Sequence, residues 1–227
     1  DAQRSRAIEL VNALLGSWGR EGGFYYPASF ALAKFPYPAY PHSERGTVDN
    51  PDAKYPFADL GLTNGIRAAT ISGAPYPIKG WFVYATNLLQ ALPNQEETIR
   101  AIQALDLMVV VDVVPSEIAG WADVVLPESV YLERYDDLNT EAFREPFVSL
   151  RQPVVEMRGD ARDFTDIATE LARRSGILEK YNAAINRGAG GVALNCERGD
   201  FSLPVDQVHD REAIWDAVCR AASAELT

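Results

Sequence analysis

The sequence is poor in side chains that bind metals or form disulfides. Its 227 residues include two cysteines, Cys196 and Cys219, and two histidines. Two cysteines cannot build a disulfide framework or a metal cluster by themselves, so we interpret both as unreactive thiols. So few histidines also argue against a zinc site built from imidazole rings.

Long apolar runs are missing as well. The longest aliphatic stretch, Leu107–Val111, has the length of a buried β-strand, whereas a membrane-spanning helix needs about 20 apolar residues. The first residues, Asp1–Arg6, are not followed by the apolar segment of a signal peptide, so we do not interpret them as one.

Positive charge is scarce. The chain has 21 Lys and Arg residues against 32 Asp and Glu residues, which gives a net charge of −11. Proteins that bind nucleic acid need a basic surface, so we predict no nucleic-acid partner. The hydrophobic fraction of 47% is ordinary for a soluble globular protein.

The common nucleotide-binding motifs are also absent. No G-x-G-x-x-G follows the apolar run that ends at Tyr84, and no G-x-x-x-x-G-K-[ST] occurs anywhere, which disfavours an NAD, FAD or P-loop domain. A group of acidic residues, Glu133, Asp136 and Asp137, lacks the alternation of a calcium loop and predicts a solvated acidic loop.

From Gly80 onward the pattern becomes regular. Short, almost wholly apolar runs predict buried strands at Trp81–Tyr84, Leu107–Val111 and Asp123–Leu126. Helices are predicted between them, at Gln95–Leu105 after the N-cap Asn94 and at Ser116–Gly120, where Ser116 is the candidate cap. This alternation favours a parallel sheet covered on both faces. We therefore predict an α/β fold whose three-layer, parallel-sheet (Rossmann-like) domain spans residues 78–176.

Two different segments flank this domain. Residues 1–77 are predicted to be a helix and a Pro-rich wrapping segment from the preceding domain. The amphipathic helix is expected at 3–18, and the irregular Pro-rich stretch, Phe24–Pro77, is expected to have a short helix near Phe57–Leu62 and to wrap over another domain. Residues 177–227 form a helical appendage. The remaining predicted elements are an extended piece at Phe147–Leu150 within a polar loop over 128–160, and helices at Asp163–Arg174, Leu178–Ile185 and Arg211–Ala224.

Asp112 is the sharpest candidate for a binding residue. In open parallel sheets, ligands bind at the carboxyl ends of the strands, and Asp112 stands at such an end. A carboxylate there can accept two hydrogen bonds from a guanine edge or a ribose diol. The alternative is that Asp112 only caps the turn before Ser116, because aspartate favours turns.

Several motifs resemble one known family. The runs Leu105–Asp112 and Ser116–Glu128, the latter with Ala-Asp-Val-Val-Leu-Pro, resemble the third domain of the DMSO-reductase family of molybdopterin oxidoreductases. The tail from Pro153 to Asp163 is similar to that family's proline, glycine–acid–alanine and aspartate pattern. The helix and glycine turn over residues 12–23, followed by Phe24-Tyr25-Tyr26-Pro27, resemble the polysulfide, thiosulfate and tetrathionate reductase branch.

The resemblance implies a role for the chain. It would be an internal part of a catalytic subunit that holds bis-molybdopterin guanine dinucleotide with molybdenum, while an iron–sulfur cluster would belong to an N-terminal part that this sequence lacks. Cofactor-binding residues implied by the matching positions are Asn87, Asp112, Ser116, Arg134 and Asp163. Arg134 could instead be a solvated surface residue, and Asp163 could simply cap a helix.

The same resemblance implies an enzyme that passes electrons to polysulfide, thiosulfate or tetrathionate, with a chain too short to be active alone. The expected partners are an iron–sulfur electron-transfer subunit plus a membrane-anchor subunit, in a periplasmic or extracytoplasmic, membrane-associated complex. Two alternatives stay open at this point. One is a free-standing α/β nucleotide-binding or regulatory module, and the other is a reductase of arsenate or another oxyanion.

Overall fold

A computed structural model describes residues 2–28, 63–136, 138–139, 143–188 and 193–224. The short helix predicted near Phe57–Leu62 lies outside the described residues. The chain divides into two compact units, each assembled from separate stretches of sequence. The first contains the described parts of 1–35, 135–152 and 172–227, and the second those of 36–134 and 153–171. The predicted domain limits at residues 77 and 176 divide the chain into three consecutive segments. These limits stay a prediction.

The described helices and strands alternate along much of the chain. The helices are α1 (Ala2–Leu15), α2 (Thr63–Ser72), α3 (Leu88–Ala91), α4 (Gln95–Gln103), α5 (Phe164–Arg174), α6 (Leu178–Arg187) and α7 (Arg211–Ala224), with a 3₁₀ helix at Glu117–Trp121. The strands are β1 (Gly80–Tyr84), β2 (Leu107–Asp112), β3 (Val124–Pro127), β4 (Leu138–Asn139), β5 (Ser149–Leu150), β6 (Asn195–Cys196) and β7 (Gly199–Asp200).

The second unit contains the predicted parallel sheet. Its strand order is β1-β2-β3 and both pairings are parallel, which confirms the α/β fold class. One face carries Val83, Met108 and Val110, which pack with Ile102 of α4 and Ile118 of the 3₁₀ helix in a buried apolar cluster. These aliphatic side chains suit a pleated, fully buried surface.

The other face of the sheet meets the start of α5. The ring of Phe164 lies 6.3 Å from that of Phe82 and 3.9 Å from that of Tyr84, measured between centroids. Helical residues therefore lie against both faces of the sheet, as the three-layer prediction requires.

The predicted irregular stretch Phe24–Pro77 is wrong for ten of its residues, which form α2. This helix contains Gly65 and three threonine or serine residues, which are poor helix formers, so its local pattern is weak. Long-range contacts hold it in place. Arg67 is buried and donates to the carbonyl of Pro93 (2.6 Å), the hydroxyl of Thr98 (3.0 Å) and the carboxylate of Glu97 (3.0 Å).

In the first unit, α1 ends at Leu15 and not at the predicted residue 18, because Gly16 takes a positive φ of 60° that breaks the helix. The predicted helical appendage contains α6 and α7, but also the antiparallel β6–β7 pair. Its core gathers mainly around α7, with buried Leu194, Ile214 and Val218. In the predicted polar loop, β4 pairs with β5 in antiparallel fashion. None of the described helices has the length and apolar composition needed to cross a bilayer.

Candidate cofactor site

The strands of the sheet end at one common edge, which we call the carboxyl edge. In the parallel register, Tyr84 of β1 is level with Val111 of β2, which is level with Leu126 of β3. Asp112, the last residue of β2, is level with Pro127, the last of β3. The chain segments that begin with Ala85, Val113 and Glu128 therefore all leave the sheet on the same side, where ligands bind in such folds.

The loop after β2 forms a closed unit that we call the Asp112 turn, residues 112–116. Asp112 Oδ1 accepts from the amide of Val113 at 2.7 Å and, more weakly, from that of Val114 at 3.4 Å. Its Oδ2 accepts from the Ser116 hydroxyl at 2.8 Å. The turn-capping interpretation of Asp112 is thus realised. Because an ionised carboxylate offers about four acceptor positions and Asp112 is only half-buried, capacity for a further donor remains.

Ser116 does not act as the predicted cap. It precedes the 3₁₀ helix, but its side chain makes no capping hydrogen bond. The hydroxyl donates to Asp112 Oδ2, and this bond holds the Ser116 side chain within the Asp112 turn. A hydroxyl that donates to Asp112 keeps its own lone pairs as acceptors.

Asn87 joins the loops after β1 and β2. Its Oδ1 accepts from the amide of Leu89 at 3.3 Å and so caps α3. Its Nδ2 donates to the Glu117 carboxylate at 2.5 Å. Between β1 and Asn87, Ala85 has a φ of 52°, a left-handed conformation that non-glycine residues rarely adopt. Such conformations persist only where surrounding contacts impose them, and they concentrate at functional sites.

A second group of side chains surrounds the residue that follows β3, and we call it the Glu128 cluster: Tyr84, Glu128, Arg134, Asp163 and Phe164. Glu128 is 5% exposed. One of its oxygens, Oε1, accepts from Arg134 Nη1 at 2.6 Å and from the Tyr84 hydroxyl at 2.9 Å. Arg134 therefore directs one nitrogen to a buried carboxylate. Its side chain is 21% exposed, so the solvated-surface alternative for this residue is wrong.

Two groups of the Glu128 cluster, the Glu128 carboxyl and the Tyr84 hydroxyl, have raised pKa values. Burial raises the pKa of Glu128, and the nearby negative charge of Asp163 raises it further, while the Tyr84 hydroxyl and Arg134 oppose the rise. Burial, then the hydrogen bond to Glu128, raises the pKa of Tyr84 to about 12. Tyr84 consequently keeps its proton and acts as a donor across the whole neutral range.

Asp163 lies at the start of α5 and is 4% exposed. Its Oδ1 accepts from the amide of Thr165 at 2.8 Å, which is the helix-capping arrangement expected as the alternative to a cofactor role. The next residue, Phe164, stacks on Tyr84 with an angle of 16° between the rings. The cap therefore also fixes an aromatic pair at the carboxyl edge.

The five predicted site residues all lie after strand ends or at the start of α5, but in two separate groups. Asn87, Asp112 and Ser116 belong to the loops after β1 and β2, whereas Arg134 and Asp163 belong to the Glu128 cluster. A backbone hydrogen bond from the amide of Glu128 to the carbonyl of Asp112, at 3.1 Å, connects the two groups.

Sequence reasoning missed Glu128, Tyr84, Glu117 and Phe164. The available signal for Glu128 was a carboxylate placed directly after a buried strand, six residues before an arginine. Nothing comparable marks Tyr84, because its partner Glu128 is 44 residues away. Among the described residues, no group of three or more His, Cys, Asp or Glu side chains could hold a metal ion.

The fold and its carboxyl edge define the class of parallel α/β domains that bind a ligand where the strands end. A family model described as molybdopterin oxidoreductase matches residues 2–174. Since that match covers well over half of the sequence, the chain belongs to the molybdopterin oxidoreductase family, as the sequence motifs indicated.

Curated relatives have several activities. Over 191 residues the chain is 33% identical to the thiosulfate reductase molybdopterin-containing subunit of Salmonella typhimurium, with 78% of this chain and 25% of that protein covered. It is 26% identical to a sulfite dehydrogenase subunit of Allochromatium vinosum, covering 76% and 22%. It is 37% identical over 108 residues to acetylene hydratase of Syntrophotalea acetylenica, covering 47% and 14%.

A solved structure of acetylene hydratase from Pelobacter acetylenicus matches with 31% identity and a TM-score of 0.48, covering 57% of this chain and 18% of that one. The chain therefore spans a quarter or less of the length of each of these relatives.

Proposed function

We propose that this chain is the cofactor-holding part of the catalytic subunit of a molybdenum-dependent oxidoreductase that passes electrons to a sulfur compound. The observation that carries the proposal is the placement of Asp112, with remaining acceptor capacity, at the carboxyl edge of a chain that belongs to the molybdopterin oxidoreductase family. The match to a thiosulfate reductase subunit over 78% of the chain supports a sulfur compound as electron acceptor.

The chemistry of the carboxyl edge fits a guanine dinucleotide. Guanine presents a fork of two N–H donors on its Watson–Crick edge, and Asp112 would accept from them alongside its own turn. Asn87 and Ser116 would contact ribose or phosphate oxygens, since each can both donate and accept. Arg134 would bring its guanidinium, a planar fork of donors, close to a phosphate. When bound, the molybdenum cofactor supplies the redox chemistry, while the protein supplies binding and orientation.

We also propose that the cofactor is the bis-dinucleotide form and that another part of the subunit holds an iron–sulfur cluster.

Thiosulfate reduction takes up two electrons and one proton, breaks the sulfur–sulfur bond and yields HS⁻ and sulfite. The full-length protein, assayed with an artificial electron donor, is expected to release sulfide and sulfite in equal amounts from thiosulfate. Turnover of acetylene or arsenate in place of thiosulfate would contradict the proposed substrate.

The decisive experiment concerns Asp112 in the full-length protein. Asp112→Ala removes the proposed partner of guanine and would leave its donors unpaired, which costs about 1–3 kcal/mol of cofactor binding. This corresponds to roughly a 5- to 150-fold loss of affinity. Molybdenum and released guanine nucleotide, measured per protein, are expected to fall together.

The matched control is Asp106→Ala. Asp106 precedes the same strand at the opposite edge of the sheet and forms an exposed ion pair with Lys79 at 2.9 Å. This variant is expected to keep a normal cofactor content. Normal molybdenum and guanine content in a folded Asp112→Ala protein would show that the guanine site lies elsewhere.

The proposed partners and location rest on the same likeness to curated relatives. Two of the curated relatives are named as subunits, which is consistent with a complex. We propose two partners, an iron–sulfur electron-transfer subunit plus a membrane-anchor subunit, on the extracytoplasmic side of the membrane. Affinity purification of the tagged full-length protein from fractionated cells tests this, and recovery from cytosol alone would contradict the location.

A further inference from the structure

A small cavity lies in the first unit, beside α7. Its volume is about 210 Å³, which is below the range of about 300–1,000 Å³ that sites for whole cofactors usually occupy. The cavity is therefore suited to a single side chain or to a small organic group. The family model ends at residue 174, so α7 lies outside the matched stretch, and the proposed cofactor site does not account for this cavity.

One wall of the cavity is a single face of α7. Glu212, Trp215, Asp216 and Cys219 line it, at the spacing that places side chains on one side of a helix. Two of them are acidic and stand four positions apart, where like charges destabilise a helix. Arg220 offsets this in part, because its Nε pairs with Asp216 Oδ2 at 2.9 Å. The exposed Glu212 makes no ion pair or side-chain hydrogen bond with the residues that the structure describes.

The other wall comes from the segment 135–152. It consists of Tyr135, Leu150 and Gln152, so none of the described residues that line the cavity is basic. The Tyr135 ring already attracts one cation, since the guanidinium carbon of Arg211 lies 5.8 Å from its centroid. Arg211 itself is not among the lining residues. The cavity thus combines acidic and amide acceptors with two aromatic rings, those of Tyr135 and Trp215.

We propose that the cavity binds one primary ammonium group on a short alkyl stem. An ammonium has three N–H donors, and the lining offers three acceptors: the Glu212 carboxylate, the second oxygen of Asp216 and the carbonyl of Gln152. A compact ammonium can turn toward several acceptors, whereas the planar guanidinium favours a single carboxylate. The rings of Tyr135 and Trp215 attract a cation and also cover its stem. The ammonium belongs either to a free small amine or to a lysine side chain of a protein chain.

The first measurement tests a free amine. n-Butylamine, which is protonated at neutral pH and has the four-carbon stem of lysine, is titrated into the full-length protein, and its binding is followed by saturation-transfer NMR. Glu212→Gln is expected to weaken this binding about two- to fivefold, the effect of losing an exposed ion pair. Glu197→Gln, which changes an exposed acid in the turn between β6 and β7, is the matched control and should leave the binding unchanged.

Two results of this titration would overturn the proposal. One is that neutral n-butanol, which has the same stem, binds as tightly as n-butylamine. The other is that Glu212→Gln binds n-butylamine as tightly as the wild type does.

The second measurement tests a lysine side chain, which would exclude n-butylamine by filling the cavity itself. A carbodiimide is added to the full-length protein in its native complex, so that a carboxylate in contact with an amine forms an amide, and the linked peptides are read by mass spectrometry. A link from Glu212 to a lysine is then expected in the wild type and in Glu197→Gln, but not in Glu212→Gln. If the full-length protein shows neither n-butylamine binding nor a lysine link at Glu212, the proposal is wrong. Neither measurement depends on the molybdenum cofactor, so a failure here leaves the Asp112 experiment unaffected.

Discussion

Around Asp112 the side-chain hydrogen bonds join residues at most four positions apart, whereas the bond between Tyr84 and Glu128 spans 44 positions. The Asp112 turn is half-exposed and closes on itself. In the Glu128 cluster the two acids, Glu128 and Asp163, are buried, and Glu128 depends on partners from the end of β1 and the loop after β3. A local turn can present a carboxylate to a ligand at little structural cost. The buried Glu128 instead connects the end of β1, through Tyr84, with the loop after β3, through Arg134.

The largest effect on stability is expected from Glu128→Ala. This change leaves the Arg134 guanidinium and the Tyr84 hydroxyl without their shared acceptor. Breaking a buried pair costs about 3–5 kcal/mol, and the partial exposure of Arg134 reduces this to about 2–3 kcal/mol of unfolding free energy. Urea denaturation of the chain measures it. Asp106→Ala, which breaks the exposed pair with Lys79, should cost less than about 1 kcal/mol. Equal losses of unfolding free energy in Glu128→Ala and Asp106→Ala would mean that the buried pair contributes no more than the exposed one.

The sequence separation between interacting residues also decides which features could be predicted from the sequence. The strands of the sheet follow from apolar runs, and the cap at Asn94 follows from its position before Gln95. The structure confirms both, with Asn94 Oδ1 accepting from Glu97. Asp112 stood out because its position at a strand end is visible locally. The Glu128 cluster and α2 could not be predicted, because Glu128 and Arg67 are stabilised by partners distant in sequence.

A smaller effect is expected from pH, and its sign is fixed by Glu128. The pKa of this carboxyl in the folded chain is raised above its ordinary value of 4.5, mainly by burial. Between the ordinary and the raised value, the folded chain holds a proton that the unfolded chain has released. The stability of the wild-type chain relative to Glu128→Gln should therefore fall as pH rises from 4.5 through this window, and level off above it.

Urea denaturation of both chains at a series of pH values measures this difference. Asp163→Asn is the companion variant, since asparagine can still cap α5 but removes the nearby negative charge. In Asp163→Asn the pKa of Glu128 should be raised less, because the charge of Asp163 contributes to that rise. The pH interval over which the relative stability falls should therefore be narrower. A relative stability that rises with pH would mean that the paired, ionised form of Glu128 is favoured by folding.

Tyr84→Phe separates the hydrogen bond from the ring packing in the Glu128 cluster. The phenylalanine ring can still stack on Phe164, while the bond to Glu128 Oε1 is lost. Because Arg134 continues to pair with the same oxygen, the expected cost is about 1 kcal/mol of unfolding free energy. Tyr84→Ala, which also removes the stacking, should cost clearly more. Equal costs for the two variants would mean that the ring contributes nothing.

Ser116→Ala tests the Asp112 turn with the smallest expected change. It removes the donor at 2.8 Å from Asp112 Oδ2, but water can replace that donor because the carboxylate is half-exposed. The unfolding free energy should therefore fall by about 0.5 kcal/mol, at the low end for a hydrogen bond.

Ser129→Ala is the matched control, since this buried hydroxyl has no hydrogen-bond partner among the described residues and its loss should not destabilise the chain. In the full-length protein, Ser116→Ala should lower cofactor content if the hydroxyl also contacts the dinucleotide, whereas Ser129→Ala should leave it unchanged. A loss above about 2 kcal/mol in Ser116→Ala would show that the Asp112 turn, too, is a structural support of the sheet.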